Sequence, residues 1–133
     1  MDIADCREFC LSLPFVEETL PFDEDTPVYK VGGRMFAVMS LTSPDKVVVK
    51  CDPVRAEALR ERYAAVTAAW HFNKKHWNAL LFNGLPDGAL RGEIVRSYLL
   101  VVRLNVTPRA LRDRILAAVA AEGIAEDADL LLG

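Results

Sequence analysis

The chain has 133 residues, 52% of them apolar and 26% charged, which is one domain's length and excludes a disordered or collagen-like polymer. No apolar run approaches the roughly 18 residues of a membrane span, and the opening MDIADCREFC lacks the basic and apolar regions of a signal peptide. The net charge of -3 argues against a globally basic nucleic-acid binder, but residues 67–114 carry 8 basic and 3 acidic side chains, so any anion site must be local.

In chain order, Ile3, Cys6, Phe9, Cys10 and Leu13 recur at three- and four-residue spacing behind Asp2, a capping residue with Asp5 at the third helical position; Pro14 stops the run. This predicts an amphipathic first helix whose Cys6 and Cys10 are small core residues. Together with Cys51 they make an odd number of cysteines, expected as free thiols in a reducing cytoplasm. The acidic run from Glu17 to Asp25 reads as a solvated loop that guards a strand edge. In TPVYKVGGRMFAVMSL two strand-like runs flank Gly32-Gly33, a two-residue hairpin turn. Pairing Val31 with Arg34 sets Lys30 opposite Met35 and Tyr29 opposite Phe36.

Thr42-Ser43-Pro44-Asp45 turns the chain into a third strand, Lys46 to Cys51, and Asp52-Pro53 opens a short second helix ending near Tyr63. Asn73-Lys74-Lys75 reads as a turn and His76 to Asn83 as a strand, broken by Gly84 to Gly88. Leu90, Ile94, Val95, Tyr98, Leu99, Val101 and Val102 form the stripe of a helix that packs across the sheet. Thr107-Pro108 opens a last helix, with Leu111, Ile115 and Val119 four apart and Gly123 at its end. The order helix, meander, helix, strand, helix, helix specifies an α+β domain.

The stretch WHFNKKHWN, residues 70–78, holds both histidines and both tryptophans with two of the five lysines. His71 and His76 fall about 140° apart on a helix and on opposite faces of a strand, which does not suit one ion. There is no Cys-x-x-Cys or His-Glu-x-x-His partner, no nucleophile elbow and no glycine-rich phosphate loop. The chain is therefore expected to be no enzyme and to carry no metal or cofactor. Lys74 and Lys75 offer phosphate contacts, and Trp70 or His71 a stacking surface. Against that, Trp70 and Trp77 read as core anchors: Trp77, Ala79 and Leu81 make one strand face, and His76, Asn78, Leu80 and Phe82 the other.

CLSLP at 10–14, PFDEDTPVYKVGGRMFAVMSL at 21–41, KCDP at 50–53 and NKKHWN at 73–78 together resemble the MmcQ/YjbR family of small bacterial proteins, over residues 1–105. The resemblance implies a CyaY-like fold, a twisted antiparallel sheet with helices packed on one side, in a cytoplasmic protein. It also implies DNA binding through a double wing of β-hairpins. Carried over position by position, the nucleic-acid contacts are Asn73, Lys74, Lys75, His76 and Asn78, with Lys30 and Arg34 on the first hairpin. Trp70 and Phe72 depart from the family's YHMNKKHW, which has Tyr and Met there. Residues 106–133 extend past the resemblance as a C-terminal helical extension with Arg109, Arg112 and Arg114, ending in Leu130-Leu131-Leu132, a surface for packing in cis or for self-association. Two other functions stay open. One is a frataxin-like iron surface built from Asp2, Asp5, Glu17, Glu18, Asp23, Glu24 and Asp25. The other is a small-molecule or protein-binding module with an apolar pocket beside Trp70; the family's name points to mitomycin resistance, which fits sequestration of a flat drug.

Overall fold

Asp2 accepts the Asp5 amide at 2.8 Å and Asp5 accepts the Asp2 amide at 3.1 Å, a capping box that starts α1 (Ile3–Ser12) in the computed structural model, which describes residues 1–69 and 72–124. Among the described residues the six strands are β1 (Val16–Thr19), β2 (Val28–Val31), β3 (Arg34–Val38), β4 (Lys46–Lys50), β5 (Val66–Ala68) and β6 (Trp77–Leu81). The remaining helices are α2 (Pro53–Arg62), α3 (Asp87–Asn105) and α4 (Arg109–Ala121). All strand pairs are antiparallel, in the order β1-β2-β3-β4-β6-β5. No helix among the described residues is long and apolar enough to cross a membrane.

One face of the sheet supplies Tyr29, Val31, Phe36, Val47, Val49, Leu80 and Phe82 to a single buried cluster. Cys6 and Cys10 of α1, Leu59 of α2, Ile94 and Tyr98 of α3 and Ile115 of α4 belong to the same cluster, so all four helices lie on one side. The C-terminal helix thus packs on its own domain through Ile115 and Val119. The Leu130-Leu131-Leu132 end lies outside the described residues. Between α2 and α3 the nearly buried Glu93 takes both Nη atoms of Arg55, at 2.6 and 2.7 Å, a fork that satisfies two charges removed from water.

Three elements differ from the sequence reading. Glu17, Glu18 and Thr19, expected as the start of a loop, belong to the edge strand β1; the two glutamates disguise it, and they suit an edge that must not recruit another strand. The three-residue β5 is too short to show a period. Tyr29 pairs with Ala37 and not Phe36, because the ladder shifts between Tyr29 and Lys30. Phe36 is the residue left without a partner in the ladder, and it stays in the core, where its ring meets Tyr98 edge-on at 5.3 Å. Beyond Ala37 and Val49 the β3–β4 ladder gives way to the Ser97 hydroxyl, which donates to the Phe36 carbonyl at 2.7 Å and accepts the Lys50 amide at 2.8 Å.

Candidate nucleic-acid interface

Gly32 and Gly33 have φ of 57° and 78°, the pair of positive angles that a type I′ hairpin demands. Gly32 serves a second purpose, since a Cβ there would lie 2.7 Å from Val106 Cγ1. The hairpin therefore rests against the end of α3, with Arg34 exposed and Lys30 half-buried.

The second turn is held by its own Asn73. Asn73 Oδ1 accepts the Lys75 amide at 3.0 Å, and its carbonyl accepts the amides of His76 and Trp77, each at 3.0 Å. The His76 carbonyl takes the Cys51 amide at 2.7 Å, tying the turn to the end of β4. From α2, Arg60 Nη1 donates to the Lys74 carbonyl at 3.0 Å and to Asn78 Oδ1 at 2.7 Å. These bonds leave the Lys74 and Lys75 side chains exposed and His76 half-buried.

Asn78 corrects an expectation. It is 1% exposed, and its Nδ2 donates to the Ala56 carbonyl at 3.2 Å, so it cannot touch a phosphate. Its role is to clamp β6 to α2. Arg60, which the sequence analysis did not single out, completes that clamp from a distance no local pattern reveals. Trp77 is buried as expected, but on the face away from the helices, tilted against Phe72 with ring centroids 5.3 Å apart. Trp70 and His71 lie outside the described residues, and with them the pocket expected beside Trp70.

The two turns share one end of the sheet. The Ala37–Val49 pair sets the Arg34 end of β3 beside the Lys50 end of β4, and Lys50 pairs with Trp77, directly after the 73–76 turn. Two strand intervals separate β3 from β6, roughly 10 Å. Lys50 Nζ, between them, is held by Asn105 Oδ1 at 2.9 Å.

Four of the seven carboxylates proposed for iron, Asp2, Asp5, Glu18 and Asp23, accept hydrogen bonds within the molecule. Asp2 and Asp5 form the helix cap, and Asp23 accepts the Asp25 amide at 2.9 Å. Glu18 takes Arg7 at 2.8 and 3.3 Å and the Tyr29 hydroxyl at 2.7 Å. Arg7 and Tyr29 together hold Glu18 below the usual carboxylate range against the opposing effect of its partial burial. Among the described residues, no three His, Cys, Asp or Glu side chains converge on a point that could hold an ion. Cys6, Cys10 and Cys51 are free and buried, and its contact with Cys6 and its burial push the Cys10 thiol well up. A depression of about 460 Å³ between α1 and α3 is lined by Met1, Asp5, Glu8, Phe9, Ser12, Asp87 and Arg91.

Comparison with known proteins gives a consistent set of relatives. The family model described as YjbR matches residues 11–100. The uncharacterized protein YbdF of Escherichia coli O157:H7 is 33% identical over 99 residues, covering 72% of this chain and 80% of its own length. The uncharacterized protein YjbR of Escherichia coli K12 is 30% identical over 106 residues, covering 78% and 90%. The crystal structure of Deinococcus radiodurans protein DR2400, a DUF419 domain, superposes with a TM-score of 0.78 at 34% identity, over 98% of this chain and 92% of that one. A protein from Pseudomonas syringae shares the fold, with a TM-score of 0.59 at 21% identity over 71% of this chain and 93% of its own.

Proposed function

The chain belongs to the YjbR family, and for this member of it we propose a non-enzymatic, cytoplasmic DNA-binding protein that grips phosphates with two basic turns. The observation that carries this reading is the shared position of the two turns: the Gly32-Gly33 hairpin with Lys30 and Arg34, and the 73–76 turn with Lys74 and Lys75, stand at one end of the sheet. Each is braced from behind, by Val106 and by Arg60. They act as two wings. Binding is by charge neutralisation with release of counterions, so these contacts position the protein on the backbone and read no bases. Asn73 shapes the second wing and Asn78 anchors it.

A salt series of duplex binding tests the proposal. Three or four phosphate contacts predict a slope of log K against log salt of roughly -3 to -4, at about -0.9 per contact. Reversing Lys74→Glu and Lys75→Glu together should flatten it by about two units, alike on every sequence. Absence of binding at low ionic strength, or indifference to the reversal, rejects this function.

A further inference from the structure

Phe15 is the residue other than glycine that carries a positive φ among the described residues, at 63°. A Cβ makes that conformation unfavourable, and glycine would adopt it freely. Folding gains only part of a phenylalanine's burial in exchange, because the residue remains 47% exposed. The strained residue is also rigidly held: the Tyr98 hydroxyl donates to the neighbouring Pro14 carbonyl at 2.6 Å, and β1 begins at the next residue. The Arg114 guanidinium lies over the ring, 5.7 Å from its centroid.

The place is as telling as the strain. Val16 pairs with Val31, so Phe15 stands beside the Gly32 turn, at the sheet end that carries both wings. From β1 to β6 is four strand intervals, roughly 19 Å. A half-exposed aromatic ring with a cation over one of its faces is suited to an unpaired base on the other and its phosphate, whereas the bases of an intact duplex are already stacked on one another. We propose that Phe15 is a stacking platform for an unpaired nucleobase, with Arg114 as its cationic neighbour, so that this end of the sheet takes single-stranded nucleic acid across the platform and the two wings. The proposal rests on the phosphate-binding reading of those wings.

The test compares a single-stranded oligonucleotide of about twelve nucleotides, carrying one 2-aminopurine, with a blunt duplex of the same length. Wild type should prefer the single strand and quench the probe by stacking. Phe15→Leu keeps an apolar side chain against α4 but has no flat face; it should lower the ratio of single-strand to duplex affinity about tenfold and abolish quenching, and Phe15→Tyr should restore both. Phe15→Gly should show the same loss while melting no lower than wild type, because it relieves the left-handed strain, which separates lost stacking from lost folding. Duplex binding without single-strand preference, or a Phe15→Leu protein that binds and quenches as wild type does, overturns the platform and leaves the wings standing. Failure to bind either form of DNA overturns both.

Discussion

Arg60 and Asn78 meet at 2.7 Å, the guanidinium donating to an amide that is 1% exposed and whose nitrogen is already committed to the Ala56 carbonyl. The same Arg60 nitrogen reaches the Lys74 carbonyl, so a contact inside the molecule fixes the backbone of a turn on its surface. Asn78→Ala deprives a buried carbonyl and a guanidinium of their partner and should cost about 1 to 3 kcal/mol, read as a lower denaturant midpoint at unchanged m-value. Arg60→Ala should weaken DNA binding by loosening the turn while leaving the salt slope intact. A slope reduced by about one unit would instead mean that Arg60 itself meets a phosphate.

Trp77→Ala should destabilise by about 3 to 5 kcal/mol, the usual cost of truncating a buried aromatic. Because Trp77 packs against Phe72 on the face away from the helices, the two losses are coupled. The double variant Trp77→Ala with Phe72→Ala should lose less than the sum of the singles, by 0.5 kcal/mol or more on the scale of about 0.5 to 3 found for contacting pairs. Strict additivity in denaturant melts would show that the pair does not act as one cluster.

Local chemistry made much of this molecule readable in advance. Asp2 with Asp5 marked the start of α1, Gly32-Gly33 the hairpin, and Asp52-Pro53 the start of α2, because caps and positive-φ turns depend on adjacent residues. The ladder shift at Tyr29 was hidden because Phe36 faces the core in either register, so the alternation of buried residues does not mark the extra one. β1 was hidden because Glu18 earns its place through Arg7 and Tyr29, eleven residues away on either side. For the candidate interface the signal in Asn78 was present but overridden: strand alternation put it with Leu80 and Phe82, which predicts burial, while its place in NKKHWN suggested contact. Arg60 had no such signal, since its partners lie 14 and 18 residues further on.

Acid should act through Glu18. Arg7 and Tyr29 lower its folded-state pKa beneath the ordinary value of 4.5, so the unfolded chain takes up the proton first as pH falls. Its contribution is therefore fully present above the unfolded pKa and is lost as pH drops through the folded one. The stability difference between wild type and Glu18→Gln should be constant from pH 7 to about 5 and shrink steadily below that. A difference that grows on acidification would contradict the Arg7 and Tyr29 contacts.

The two glycines of the hairpin should respond unequally to one methyl group. Both have positive φ, so alanine at either pays left-handed strain of about 1 to 2 kcal/mol. At Gly33 the added Cβ meets nothing within 4 Å, and the strain is the whole cost. At Gly32 it arrives 2.7 Å from Cγ1 and 2.9 Å from Cγ2 of Val106, a β-branched side chain that is buried and has few rotamers to yield. Overpacking of that kind adds about 1 to 3 kcal/mol, so Gly32→Ala should cost about 2 to 5 kcal/mol in all. Val106→Ala opens the space, and combined with Gly32→Ala it should bring the penalty of the alanine back toward that of Gly33→Ala. Thermal or denaturant melts of the four variants decide the matter; equal costs at the two glycines would mean that the hairpin does not lean on the end of α3.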